Sequence, residues 1–145
     1  MWIERLTCSR GTHALELATR FYEERHKVLA ENVANIDTPD YHTKILDPEV
    51  FREELKEALH EAKSARENRL ELRGDAQIAT DSQGRLTVKP RTRPAANILF
   101  HDGSNASLEQ LMTEVQKNSL DYQLAASLLN KRFFGLMNAI RGKVS

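Results

Sequence analysis

Apolar residues recur at helical spacing in three stretches of the chain and lose that spacing in a fourth. The longest pattern lies near the C-terminus. Leu108, Met112, Val115, Ser119, Tyr122, Ala126, Leu129, Phe133, Leu136 and Ile140 follow alternating steps of four and three residues, the repeat of a coiled-coil seam. Leu111, Leu128 and Met137 widen the stripe, and Ser119 is its one polar member. Asp102-Gly103-Ser104-Asn105 has turn composition, Ser107 and Gln110 have capping-box spacing, and Gly142 stands where helices close. The pattern predicts a helix from about Leu108 to Gly142, roughly 50 Å long at about 1.5 Å per residue.

A second helical pattern runs from about Thr12 to Ile36. Leu15, Ala18, Tyr22, Leu29 and Ile36 form its seam, with Phe21, Val28 and Val33 beside them and Arg25 and Asn32 interrupting it. Asn32 at a core position either fixes register, as buried amides do in coiled coils, or marks a seam already unwinding. The stop signal is dense. Asn35 tolerates the left-handed conformation, Pro39 biases Thr38 out of the helical region, and Thr38-Pro39-Asp40-Tyr41 reads as a turn with proline second.

Asp47 followed by Pro48 predicts an N-cap and first helical residue. The stripe that follows, Phe51, Leu55, Ala58, Ala62 and Ala65, is narrow and poor in bulk beyond Leu59, so weak burial and fraying are expected there. From Leu70 the period changes. Leu70-Glu71-Leu72-Arg73 and Arg85-Leu86-Thr87-Val88 alternate apolar with polar around the turn-like Asp81-Ser82-Gln83-Gly84, which predicts a small hairpin. Lys89-Pro90-Arg91-Thr92-Arg93-Pro94 then reads as an extended, solvated linker. The expected fold is mainly α: two long terminal helices forming a coiled-coil pair, a shorter middle helix and a small irregular or hairpin segment. Residues 1–46 and 108–145 would form one packing domain, with 47–107 as a middle segment.

The 145 residues leave room for one small domain. A predicted C-terminal helix this long cannot be wholly covered by its own domain, so the rest of its stripe must find another chain or stay exposed, and exposed apolar stripes of this kind usually mark an interface. Lys plus Arg equals Asp plus Glu, 21 of each, which gives no electrostatic reason to expect nucleic acid or an anionic membrane surface. The charges are uneven: the stretch 47–69 leans acidic and 108–145 leans basic. Cys8 is the only cysteine, which excludes an intramolecular disulfide and a cysteine-based zinc site. No apolar h-region opens the chain and no apolar run reaches membrane-spanning length, so composition by itself points to a soluble cytoplasmic protein.

Candidate chemistry is sparse. Glu23-Glu24-Arg25-His26 and Glu57-Ala58-Leu59-His60 both read Glu-x-x-His, the spacing that di-iron bundles use. Metal ligands there point into the core, whereas Glu23, Glu57 and His60 fall off the apolar stripes and His26 sits at a flank. A fourth helix is also missing. Cys8 with His13 nearby has no nucleophile signature around it, the six glycines form no phosphate loop, and Lys89–Arg93 lacks the aromatics of a nucleic-acid groove. The expectation is therefore no enzyme, with no catalytic residue, metal, cofactor or small-molecule substrate.

Leu29-Ala30-Glu31-Asn32-Val33-Ala34-Asn35-Ile36-Asp37-Thr38-Pro39-Asp40-Tyr41 is similar to the N-terminal signature of the flagellar rod and hook family, roughly Leu-x-x-Asn-[Ile/Val]-Ala-Asn-x-x-Thr-Pro-Gly-Tyr. Leu29, Asn32, Ala34, Asn35, Thr38, Pro39 and Tyr41 carry the match; Asp40 departs from it, standing where glycine is usual. At the other end, Asp102–Glu109, Asn118-x-Leu120-x-Tyr122-Gln123, Leu128-Leu129, Lys131 and Ala139-Ile140-Arg141-Gly142 resemble the proximal-rod members of the flagellar basal-body rod proteins. The resemblance implies a structural subunit that leaves the cytoplasm through the flagellar type III export channel without a cleaved signal. It would then assemble helically in the periplasmic rod and transmit torque. Implied partners are copies of itself, other rod proteins, the junction protein of the membrane ring and the export gate. The alternative, a coiled-coil adaptor or export chaperone, explains the heptads and leaves the Thr-Pro-Asp-Tyr signature without a reason.

Overall fold

The computed structural model describes residues 9–73, 77–92 and 103–142, the side chains of 103–107 excepted. Cys8, Asp102 and the linker beyond Thr92 lie outside the described residues. Helix α1 spans Arg10–Ala34. Ser9 caps it, its hydroxyl accepting the Thr12 N–H at 3.2 Å, so the helix starts two residues earlier than the apolar period shows. It ends where the stop signal places it, with Asn35 as C-cap, but at φ −109° and not in the left-handed conformation. Its buried face is Leu17, Phe21, Tyr22, Val28 and Leu29, together with Thr12, His13, Arg25 and Asn32.

The chain returns through a two-residue strand β1, Lys44–Ile45, into helix α2, Pro48–Ala65. Asp47 is the N-cap, its carboxylate accepting the Glu49 N–H at 2.9 Å, and Pro48 is the first helical residue. Phe51 stacks on Phe21 with ring centroids 4.0 Å apart and planes 3° from parallel, and Tyr22 meets both rings edge-on. Beyond Leu59, where fraying is expected, the helix continues to Ala65. Ala58 and Ala62 are buried, because a methyl side chain lets the helix approach its neighbours closely, and the Arg10 guanidinium donates to the Ala62 carbonyl at 3.0 Å. Arg66, in the left-handed region at φ 58°, closes the helix while the Glu67 N–H reaches back to Ala62 O at 2.9 Å.

The hairpin exists, with a different first strand. Strands β2, Ile78–Thr80, and β3, Leu86–Val88, pair antiparallel, whereas Leu70–Arg73 lies outside the ladder. Ile78-Ala79-Thr80 sits directly before the Asp81 turn, and the shorter loop is the one cheaper to close. The alternation of Leu70–Arg73 is real all the same: Leu70 and Leu72 are buried and Glu71 and Arg73 exposed, with Leu72 bonded to Thr80. Asp81 ties the turn by accepting the backbone N–H of Gln83 and Arg85 at 2.9 and 2.8 Å. Those backbone bonds, chiefly the one from Arg85, hold its carboxyl below the usual carboxylate range. Gly84 has φ 76°, and a Cβ there would lie 2.6 Å from Arg69 Nε.

Residues 89–92 are exposed and extended as expected, yet not a free strip. Strand β4, Arg91–Thr92, pairs antiparallel with β1. The last helix, α3, spans Gly103–Ile140 and is 38 residues long, so the turn expected at 102–105 and the start expected at Leu108 give way to helix from Gly103. Ser and Asn lower helix preference only slightly and Ala favours it, so the composition does not forbid a helix there. Gly142, at φ 67°, ends it as expected. α3 runs antiparallel to α1, with Arg25 beside Glu114 and Asn118 at one end and Gly11 facing Arg132 at the other. The buried apolar cluster joins Leu17, Phe21 and Tyr22 of α1 to Leu46, Phe51, Ala58, Ala62, Leu70, Leu72 and Ile78. Among the described residues of α3 only Ala125 belongs to it.

Candidate assembly surface

The motif at the end of α1 is a knot of hydrogen bonds. Asn32, 2% exposed, accepts from the Lys44 N–H at 2.9 Å and from the Tyr41 hydroxyl at 3.1 Å, and its amide donates to the Lys44 carbonyl at 2.7 Å. Its place in the seam thus serves to fasten the returning strand β1 against α1. Asn35 donates its amide to Glu31 O at 2.8 Å, and its carbonyl accepts the Thr38 N–H at 3.0 Å. The Tyr41 N–H then donates to Thr38 O at 3.3 Å, with Pro39 second and Asp40 third at φ 59°. A positive φ at the third position is the type II arrangement, which explains the family's glycine there. Burial, aided by the nearby Glu31 carboxylate, raises the Tyr41 phenol above its ordinary value. Leu29 is buried, Asn35 and Tyr41 are half-buried, and Ala34, Thr38 and Pro39 lie on the surface.

A second joint locks α1 to α3. The Arg25 guanidinium donates to Leu46 O at 3.0 Å, Asn118 Oδ1 at 3.3 Å and Glu114 Oε2 at 3.1 Å, and the Asn118 amide donates to Tyr22 O at 2.9 Å. Asn118 is fully buried. Its role was not legible from hydropathy, which counts asparagine as surface; the matching signal is Arg25, the charged interruption in the facing seam. His13 was missed for the same reason. It is buried, accepts the Leu70 N–H on Nδ1 at 3.0 Å, and so carries its proton on Nε2, which donates to Gly84 O at 3.0 Å.

The heptad seam of α3 divides. Val115, Leu129 and Leu136 are half-buried against the fold, whereas Leu108, Met112, Tyr122, Phe133 and Ile140 are exposed. The line facing α1 passes through Asn118 and Ala125 instead of Ser119 and Ala126, one position earlier. The apolar arc is wide, and α1 covers only one edge of it. A further set, Leu120, Leu124 and Leu128, is exposed on another side of the same helix. Among the described residues no group of three or more His, Cys, Asp or Glu could hold a metal ion, and Glu23, His26, Glu57 and His60 are all exposed.

No family model matches the chain. Curated proteins do. The chain is 28% identical over 142 residues to the flagellar basal body rod protein FlgB of Salmonella typhimurium, an alignment covering 88% of this chain and 96% of the relative. It is 30% identical over 137 residues to FlgB of Aeromonas hydrophila, covering 92% of each. Against FlgB of Cereibacter sphaeroides it is 31% identical over 133 residues, covering 92% and 94%. Sequence likeness over nearly the whole length, joined to the Asn32–Tyr41 turn, shows that the chain belongs to the FlgB family of flagellar basal body rod proteins.

Proposed function

We propose that the chain is a structural subunit of the proximal rod of a bacterial flagellum, assembling helically and carrying torque across the periplasm. The observation that supports this most directly is α3. Its large apolar side chains are exposed on several sides, from Leu108 and Met112 to Leu124, Phe134 and Ile140. Large apolar side chains left exposed on more than one side of a helix mark contact surfaces, and no helix among the described residues is long and apolar enough to cross a membrane. The cover must then come from other protein chains: copies of itself, neighbouring rod proteins, the membrane-ring junction protein and the export gate. On this reading the chain performs no catalysis and reaches the rod through the flagellar export channel with no cleaved signal. The signature turn sets the path of the chain at the end of α1, and α3 provides the contacts that bear load. In-frame deletion in the parent bacterium tests the proposal. Electron microscopy should show basal bodies that stop at the membrane ring, restored by the intact gene; complete rods without the protein would overturn it.

A further inference from the structure

α1 and the hairpin turn border a basic cavity of about 300 Å³. Three arginines, Arg20, Arg69 and Arg85, line it together with a single carboxylate, Glu16. His13, Leu17 and Gly84 are buried and make its floor, whereas the three arginines are exposed and make its rim. Arg69 is held in place. Its Nη2 donates to Ser82 O at 2.6 Å, and Gly84, having no Cβ, leaves room for the guanidinium over the turn. Arg85 is neutralised by Asp81, Nε to Oδ2 at 2.9 Å. Arg20 and Arg69 have no carboxylate partner among the described residues, and Glu23 and Glu24, one turn on from Arg20, are taken by Lys27. Two uncompensated guanidinium groups outweigh Glu16 and suit an incoming carboxylate, which arginine binds through paired N–H donors.

The complementary surface lies on α2. Glu53, Glu57 and Glu61, at steps of four, are exposed on one face and make no ion pair among the described residues. The cations of that helix do not cancel them. Lys56 and Lys63 sit roughly 100–120° around the helix from Glu57, and Arg52 is committed to Glu49 and Asp121. We infer that this acidic stripe of one copy of the chain docks against the arginine-lined cavity of the next. A second copy is the occupant because one chain carries both halves of the match, free carboxylates on a convex helix and free guanidinium groups around a concave site. Lys117 and Lys131 of α3, by contrast, stand singly on a convex helix face. A contact between unlike faces can repeat along a helical lattice, as a rod subunit's must. The pairing sets register between subunits, while affinity falls mainly to the apolar side chains of α3, since exposed ion pairs add little. The inference rests on the rod reading and specifies which charged surfaces meet.

Charge reversal on separate chains tests it. Arg20→Glu reverses the cavity and Glu57→Arg the stripe; the two chains, carrying different tags, replace the native protein in the parent bacterium, separately and together. Produced alone, each meets like charges at every contact and should reduce completed basal bodies and swimming on soft agar about tenfold or more. Produced together they can alternate, so that every cavity meets a stripe of opposite charge. Both measures should then return to within about twofold of the native level, with the two tags equally represented in the basal bodies. Circular dichroism of the purified variants checks their folding; should one unfold, a second pair, Arg69→Glu with Glu61→Arg, is read in the same way. Single variants that assemble normally, or a mixture no better than either alone, overturn the pairing. Rescue of Glu57→Arg by Lys131→Glu would move the partner of the stripe to α3 and overturn it as well. Tagged native chain found in basal bodies without rescue sinks only the pairing, whereas tagged native chain absent from them sinks the rod reading too.

Discussion

α1 and α3 lie side by side, yet Leu17 and Phe21 of the first are 1% and 0% exposed while Leu124 and Phe134 of the second are 60% and 65% exposed. α1 has its partners within the chain. Its apolar face packs on α2 and the hairpin, and the polar members of its seam, Arg25 and Asn32, are satisfied by Leu46, Lys44 and Asn118. α3 offers that core Ala125 and the buried amide of Asn118, and turns its larger side chains outward. The chain therefore separates two tasks. The N-terminal helix and the middle segment carry most of the buried core, whereas the C-terminal helix, held along α1 through Asn118 and Ala125, keeps its larger side chains available to other molecules.

The sharpest way to break this comparison is to attack the stack of Phe21 on Phe51. Phe21→Ala should lower the unfolding free energy of the isolated protein by about 3–5 kcal/mol, the range for a buried aromatic replaced by alanine. Urea denaturation followed by circular dichroism measures it. A midpoint that hardly moved would mean that the core is not where the stability lies.

Asn32→Ala comes next. The substitution leaves the Lys44 N–H and carbonyl and the Tyr41 hydroxyl without the partners they have now. Stranding groups of this kind costs about 1–3 kcal/mol. Hydrogen exchange should show faster opening of residues 41–46 than of α2. Uniform loosening of the whole chain would place Asn32 in the general core instead of at this one fastening.

Much of this division was legible in the sequence, and its failures have physical causes. The stop at Asn35, the Asp47-Pro48 start and the Gly142 end were readable because each depends on the conformational limits of one or two residues. The first hairpin strand was misplaced because Leu70–Arg73 and Ile78–Thr80 are both plausible partners for Leu86–Val88. Their competition is settled by loop length and by the Asp81 turn. The phase of the α3 seam slipped by one position for a different reason. The period reveals that an apolar arc exists but does not say which edge of a wide arc meets the chain's own partner. That edge is chosen by Asn118, through Arg25 and the Tyr22 carbonyl, a polar preference that hydrophobic spacing does not contain. The candidate site was legible as a turn motif and an apolar helix. Which of its residues face inward was not, since Asn32 and Pro39 look equally polar or turn-like on paper and only one is buried.

Asp40 tests the turn with a smaller effect. Its φ of 59° suits glycine without steric strain, and aspartate tolerates it better than most residues do. Asp40→Gly relieves the folded state but also frees the unfolded chain, so the expected net gain is at most about 1 kcal/mol. Asp40→Val should act in the opposite direction and by more, because a branched side chain resists positive φ. Thermal melts of the two variants give the sign. Equal effects would mean that the left-handed conformation is not held in solution.

The smallest effect on the isolated chain falls at Phe133, and it separates the two tasks most cleanly. Leu129 and Phe133 are neighbours in one heptad, but Leu129 is half-buried against the fold and Phe133 is 40% exposed. Phe133→Ala should change the unfolding free energy of the purified protein by less than about 0.5 kcal/mol, as exposed substitutions usually do. The same substitution should sharply reduce motility on soft agar and the number of completed basal bodies. Leu129→Ala should weaken the isolated protein before any effect on assembly can be read. If Phe133→Ala left motility intact, the outward apolar side of α3 would be an incidental surface at that position. If it unfolded the monomer, that side would already be covered from within, and the contrast between the two helices would dissolve.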